Sequence, residues 1–149
     1  MSKKLNSAVK RRAWNRFAEY IRVRDCIKTT GCPFVGRCVT CGKRFHIRAL
    51  QAGHCFPGRK NGRLFDERLV NAQCVLCNER HHGRRKEYRA VMEARYTKEK
   101  VALWEIEGNR VIHDRDMDFE GKAAHYIEEM KKLLAPFGYP SYKVMLKDE

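Results

Sequence analysis

Apolar side chains that recur every three to four residues predict four helices in this 149-residue chain. In the first helix, Trp14, Phe17 and Ile21 share one face and arginines cover much of the rest. At the start of the last helix, Asp116 or Asp118 can cap the free backbone N–H groups. The four predicted helices cover residues 7–24, 84–96, 98–107 and 118–135. We expect their apolar stripes to pack on a common core.

The stretch between the first two helices has the pattern of turns and short strands. Residues 25–37 contain two glycines and a proline, which predicts a loop. Two apolar stretches, Phe45–Ala52 and Leu64–Val70, predict short strands, and a glycine-rich basic loop separates them. Short strands flanked by helices indicate a small α+β fold. No apolar run approaches 18 residues, so we expect no membrane span.

Positive charge is concentrated in the first two thirds of the chain. Lysine and arginine total 32 against 18 acidic residues, a net charge of +14. Residues 1–50 carry a net charge of +11 and residues 51–100 one of +6, whereas residues 101–149 carry −3. Such a field favours a polyanionic partner, of which nucleic acid is the commonest. A solvated basic surface and attraction to anionic lipid are the alternatives.

Four of the seven cysteines form two Cys-x-x-Cys pairs, Cys38–Cys41 and Cys74–Cys77, with 32 residues between them. Two such turns can complete a tetrahedral sulfur site, which suits a structural zinc ion and leaves no position for substrate. The alternative is four small buried apolar side chains. An odd number of cysteines fits a disulfide framework poorly. We therefore expect the remaining three to be buried and unpaired: Cys26, Cys32 and Cys55.

Two histidines lie between the cysteine pairs, and one of them, His54, precedes a basic loop, whereas His46 has no comparable context. A zinc-clamped hairpin that carries one histidine and leads into a helix is the layout of HNH, or His-Me finger, nucleases. Five segments make the likeness more specific: FAEYIRVRDCIKTTG, CVTCGKRF, LQAGHCFPGR, LFDERLVNAQCVLCN and EYRAVMEARY. In this order and spacing they resemble the Rap/NinG family of phage recombination nucleases, over roughly residues 15–105.

The resemblance implies a metal-dependent endonuclease that cuts branched DNA, such as Holliday junctions and D-loops, in the cytoplasm of a bacterial host. It implies a ββα-metal (HNH-like) core with structural zinc on the four paired cysteines and catalytic Mg²⁺ or Mn²⁺. His54 would be the general base, since a neutral imidazole can take a proton from water near pH 7. Asn71 and Asn78 would orient groups in the site, and His82 or His81 would bind the catalytic cation. Five basic side chains would hold phosphates: Arg59, Lys60, Arg63, Arg84 and Arg85.

The resemblance also divides the chain into three segments. They are a basic N-terminal helix and loop (1–36), the zinc-bound nuclease core (37–96) and a C-terminal helical segment packed on that core (97–149). Two positions depart from the pattern. Leu69 stands five residues before the third cysteine, where many HNH proteins have asparagine, and Arg84 follows Gly83 where the family often has asparagine. Both departures replace residues that would serve the catalytic metal site in the family, so they affect the expected ligands of that site.

Several alternatives stay open at the level of sequence. His54 can be a structural histidine that packs the hairpin, and His81 and His82 can be solvated residues at a helix start. The whole protein can be a non-catalytic zinc module that binds DNA or RNA, or an adaptor whose acidic last third binds a basic partner. Cutting both strands of a junction takes two nicks, which is compatible with a homodimer.

Overall fold

Six α-helices and four short strands make up the computed structural model, which describes residues 3–58 and 60–148. The helices are α1 (Lys3–Thr30), α2 (Asn61–Leu64), α3 (Arg85–Arg95), α4 (Lys98–Gly108), α5 (Phe119–Leu134) and α6 (Tyr142–Met145). The strands are β1 (Val35–Arg37), β2 (Arg44–His46), β3 (Leu50–His54) and β4 (Val70–Cys74). A π-helical turn, Leu76–Arg80, follows β4 directly. The expected α+β class is confirmed, and helices α3, α4 and α5 match the predicted ranges to within about two residues.

The strands form two antiparallel pairs, β1 with β2 and β3 with β4. In the second pair Leu50 lies opposite Cys74, and His54 lies opposite Val70. All five residues of β4 are buried, so this strand runs through the middle of the molecule. The register places His54 at the end of the hairpin where β3 leads into the connecting loop. Cys74 lies at the opposite end, where the four cysteines meet.

The first helix is longer than its apolar pattern predicts, and the loop expected over 25–37 is wrong. Helix α1 continues to Thr30 because its last turns are bonded to β4. The carboxylate of Asp25 accepts the Ala72 N–H at 2.6 Å, and Arg24 donates to the Val70 carbonyl at 3.0 Å. Gly31, with a φ of 76°, then turns the chain out of the helix and into β1.

The two predicted strands are also placed differently. The stretch Phe45–Ala52 is interrupted by a 3-10 turn, in which His46 Nδ1 accepts the Arg48 N–H. The stretch Leu64–Val70 ends helix α2 and then forms a turn, and the strand begins only at Val70. Asp66 stabilises this turn, since its side chain accepts the Arg68 N–H and its carbonyl accepts the Val70 N–H. The apolar residues of both stretches are mostly buried, which explains why the pattern resembled strands.

The largest core cluster joins residues from α1, both sheets and α5. Phe17 of α1 contacts Tyr126 of α5, with ring centroids 4.9 Å apart, and Leu50 and Val70 of the second sheet belong to the same cluster. The Asp118 side chain caps α5 by accepting the Gly121 N–H. A second cluster lies beneath α3 and α4. Within the described residues, no helix combines the length and apolarity needed to cross a lipid bilayer.

Candidate functional site

Four cysteines meet at one end of the β3–β4 hairpin. Cys38 and Cys41 lie in the turn after β1, Cys74 ends β4, and Cys77 lies in the π-helical turn. Their Sγ atoms all lie within 4.8 Å of one another. A tetrahedral zinc site places its sulfurs about 3.8 Å apart, from a Zn–S bond of about 2.3 Å. The prediction that the two pairs converge is confirmed, and the cluster can hold a metal ion such as zinc.

Hydrogen bonds support the sulfur cluster from its surroundings. Burial by itself would raise the pKa of Cys38, but the Cys41 N–H and the Thr40 hydroxyl outweigh it and lower that pKa to about 6. The Thr40 hydroxyl lies 3.3 Å from Cys38 Sγ, and the Cys77 N–H donates to Cys74 Sγ at 3.5 Å. A thiolate at Cys38 is the form that binds a metal.

The other three cysteines lie away from this cluster. Cys26 and Cys55 are buried, free thiols, as expected, whereas Cys32 is only half-buried. Burial raises the pKa of both Cys26 and Cys55 to about 12. Both thiols therefore stay protonated near neutral pH and serve as small apolar side chains.

A cleft of about 460 Å³ separates α1 from the second hairpin. His54 stands in it, at the end of β3, together with three other polar residues from outside α1, which are Gln51, Asn78 and Arg85. Its lining residues come from α1, β3, the following turn and the start of α3: Trp14, Ala18, Arg22, Leu50, Gln51, Ala52, His54, Phe56, Gly58, Asn78 and Arg85. The structure thus brings three of the sequence-predicted site residues into one cleft.

Contacts with Trp14 and Leu64 orient the imidazole ring of His54. The ring stacks on the indole of Trp14, with centroids 5.2 Å apart and an interplanar angle of 16°. His54 Nε2 lies 3.2 Å from the carbonyl oxygen of Leu64. A carbonyl oxygen only accepts hydrogen bonds, so this contact places a proton on Nε2, and in the neutral ring it selects the Nε2–H tautomer. In that tautomer the lone pair is on Nδ1.

The amide side chains of the cleft are fixed by one another. Asn78 Nδ2 donates to Gln51 Oε1 at 2.7 Å, and Gln51 Nε2 donates to Glu79 Oε1 at 2.5 Å. Because the carboxylate of Glu79 only accepts, this chain sets which atom of each amide is oxygen. Asn78 Oδ1 is consequently directed toward Gly53, lying 3.1 Å from where a Cβ on that residue would stand.

A buried glutamine links the cysteine cluster to the loop before α3. Gln73 is fully buried, and its Nε2 donates to Thr40 Oγ1 at 3.2 Å and to the Gly83 carbonyl at 2.9 Å. Any Cβ at Gly53 would collide with Gln73 Oε1. Glycine before His54 is therefore a steric requirement of this hairpin, because hydrogen bonds hold the Gln73 side chain between the cysteine turn and the loop before α3.

Asn71 does not reach the cleft. It is buried in the hairpin, where Nδ2 donates to the Tyr88 hydroxyl at 3.1 Å and Oδ1 accepts from Arg24 and Arg95 at 3.2 Å each. The Tyr88 hydroxyl in turn donates to the Gly53 carbonyl at 2.8 Å. Asn71 thus supports the backbone beside His54 through Tyr88.

The two histidines expected to bind a catalytic cation also lie elsewhere. His81 and His82 are exposed and line a separate shallow cleft with arginines of the same loop. His82 and Arg84 both have left-handed backbones, with φ of 51° and 42°, and Gly83 between them has a φ of 85°. Neither histidine lines the cleft that holds His54, although Arg85, which follows this reversal, lines both clefts.

The expected phosphate-binding residues divide into two groups. Arg85 lines the His54 cleft, and Arg84 and Lys60 lie at helix starts near it. Arg63 is placed differently from the prediction: it is only 7% exposed, and its guanidinium donates to the carbonyls of Pro57 and Gly108 and to Asn109 Oδ1. A guanidinium committed to these acceptors is not available to a phosphate. Arg59 lies outside the described residues.

Three polar or aromatic residues of the site are missed by sequence reasoning: Trp14, Gln51 and Gln73. Trp14 belongs to an ordinary helical stripe, and nothing in its local pattern indicates contact with a residue forty positions away. Gln73 carries a weak signal, since a glutamine amid buried strand residues needs hydrogen-bond partners. Gln51 alternates with apolar neighbours, as does any residue at a strand surface.

Comparison with known proteins gives one match. A family model described as Bacteriophage Lambda NinG protein matches residues 2–134, which include the cysteine cluster and all residues of the His54 cleft. No curated protein and no solved structure matches the chain.

Proposed function

The chain belongs to the NinG family of phage proteins, and on that premise we propose that it is a metal-dependent DNA endonuclease acting on branched recombination intermediates. The observation that carries the proposal is the placement of His54. Its ring is held by Trp14 in a cleft and is oriented by the Leu64 carbonyl. An imidazole in this tautomer can take a proton from water at Nδ1.

The order of elements around His54 also supports the proposal. Strands β3 and β4 form a hairpin, helix α3 follows, and the histidine lies on the first strand. This order is that of a ββα nuclease core. We propose that the four cysteines bind zinc as a structural ion, because a four-thiolate site is closed to substrate.

We assign a separate role in phosphodiester hydrolysis to each polar residue of the cleft. His54 accepts the proton of the attacking water, and Asn78, held by Gln51, orients groups in the cleft. Arg22 and Arg85 line the same cleft and neutralise phosphate charge. The groups for phosphate binding and for proton transfer thus line one cleft.

The described lining fits a catalytic cation that keeps most of its waters. It contains no carboxylate among the residues the structure describes, but it offers the amide oxygens of Gln51 and Asn78. Mg²⁺ retains several waters and takes further ligands from substrate phosphates, which suits such a sparse donor set. When bound, the ion would offset charge on the phosphate and on the departing oxygen.

The test is a nicking assay on three labelled substrates: a four-way junction, a forked duplex and a linear duplex. With Mg²⁺ or Mn²⁺ added to the zinc-loaded protein we expect nicks in the junction and the fork, and none when both cations are left out. A zinc-loaded protein that binds the junction but never nicks any substrate would contradict the nuclease assignment.

A second candidate function is a non-catalytic zinc module that binds nucleic acid. The observation that favours it is the position of His81 and His82, which lie outside the His54 cleft and so do not add ligands to it. This candidate retains the basic surface and the cysteine cluster but needs no chemistry at His54. The nicking assay separates it from the nuclease.

Replacing Arg85 by alanine is expected to weaken binding to branched DNA of any sequence. Loss of one phosphate contact should reduce the slope of log K against log salt by about 0.9. Arg115→Ala is the matched control, because Arg115 is 81% exposed and lies in the acidic last third. Fluorescence anisotropy at several salt concentrations measures both slopes. An unchanged slope for Arg85→Ala would place the DNA elsewhere on the protein.

A further inference from the structure

Helix α4 is apolar on two opposite sides. Val101 is fully buried, and Trp104 packs on Tyr96 of α3 with ring centroids 4.9 Å apart. On the outer side, Leu103 is 54% exposed and Ile106 is 68% exposed. Five of the eleven residues of α4 are charged, so Leu103 and Ile106 form a local exposed apolar pair within a charged surface. The outer side of α4 therefore has the character of a contact surface.

Opposite charges stand at the two ends of this outer apolar pair. Glu99 precedes Leu103 by four residues, and Arg110 follows Ile106 by four. Leu103 and Ile106 are themselves three residues apart. That spacing places them in one stripe along the helix and its C-terminal turn. All four are exposed, and neither Glu99 nor Arg110 has an ion-pair partner among the residues the structure describes.

The stripe is self-complementary: when a second copy is turned by 180°, its basic end faces the acidic end of the first copy and the apolar centres face each other. We propose that it is the interface of a homodimer, in which the α4 helices of two copies pack antiparallel about a two-fold axis. Leu103 of each copy then meets Ile106 of the other, and Glu99 of each copy meets Arg110 of the other. A two-fold contact uses the same patch on both copies, and it needs this kind of self-complementarity.

Charge is the reason to prefer a second copy over other occupants. The stripe carries one acidic and one basic group around an apolar centre, so it has no net charge to attract nucleic acid or an anionic membrane. The antiparallel pair satisfies both charges and covers both apolar side chains at once. The inference does not depend on the proposed nuclease activity, since the stripe lies outside the His54 cleft.

Charge reversal tests the pairing. Glu99→Arg alone would place arginine opposite arginine twice in the dimer, and Arg110→Glu alone would place glutamate opposite glutamate. Each single variant should weaken dimerisation about tenfold or more, because like charges across an interface repel. The double variant, and an equimolar mixture of the two single variants, restore opposite charges and should dimerise again. The measurement is sedimentation equilibrium of the zinc-loaded protein, from micromolar to millimolar concentration under reducing conditions.

Glu120→Arg is the matched control, because Glu120 is likewise an exposed glutamate in the second position of a helix. It should dimerise as the wild type does. Zinc content and circular dichroism establish that every variant is folded. A wild-type protein that stays monomeric throughout would overturn the proposal, and so would a dimer that tolerates both single variants. Loss of the dimer in the single variants without recovery in the mixture would overturn the antiparallel pairing.

Discussion

Cys74→Ser is expected to abolish metal binding and to unfold the central part of the protein. Cys74 ends the buried strand β4, and its sulfur lies within 4.8 Å of those of Cys38, Cys41 and Cys77. A structural zinc ion contributes on the order of 10 kcal/mol in small zinc domains, whereas whole domains are stable by only about 5–15 kcal/mol. Loss of one of four thiolates therefore removes much of the free energy of folding. Metal analysis and thermal unfolding followed by circular dichroism measure the effect.

Cys32→Ser is the control for this experiment. Cys32 is a half-buried free thiol outside the cluster, so its replacement should leave one zinc per chain and a nearly unchanged melting temperature. If Cys74→Ser also keeps one zinc per chain and melts as the wild type does, the four-cysteine site is not the metal site. Chelation of zinc from the wild-type protein should reproduce the behaviour of Cys74→Ser, because the same free energy is lost.

His54→Ala is expected to stop nicking while leaving DNA binding almost unchanged. Removal of a general base typically lowers the rate by about 10² to 10⁴-fold. Binding depends on arginine and lysine side chains, of which Arg22 and Arg85 line the same cleft, so the affinity for junctions should hold. Rates are measured on a labelled four-way junction in Mg²⁺ or Mn²⁺, and affinities of the zinc-loaded protein are measured with both cations left out.

Two further variants separate a chemical role of His54 from a structural one. His54→Phe keeps an aromatic ring to stack on Trp14 but cannot accept a proton, so it should be folded and inactive. His113→Ala, at an exposed histidine in the C-terminal third, should nick at the wild-type rate. Wild-type nicking by either His54 variant would mean that the base is another group.

Local patterns were sufficient for several parts of the fold. Helix α5 begins and ends near its predicted limits because its signals are local: the Asp118 side chain caps its first turn, and Gly138 reverses the chain after its end. Helix α4 is similar, since the Thr97 side chain accepts the Lys100 N–H. The cysteine cluster also follows from spacing, because each Cys-x-x-Cys pair already brings two sulfurs to one side of a turn.

Other features were decided only when distant segments met. Helix α1 extends to Thr30 because Asp25 binds the backbone of β4, 47 residues later, a bond that no local pattern reveals. Arg63 turns inward because the carbonyls of Pro57 and Gly108 come together there and need a donor.

The candidate site likewise contains some residues that local sequence predicts and others that only tertiary packing brings together. The sequence alone predicted His54 and Asn78 from their motifs and Arg85 from its charge, and it predicted the sulfur cluster. Only the tertiary structure placed Trp14 against His54 and left His82 outside the His54 cleft. The physical reason is that periodicity shows which face of an element is apolar, but not which surface that face will cover. A side chain's partner is chosen by the packing of elements far apart in the chain, and here that packing determines the walls of the cleft.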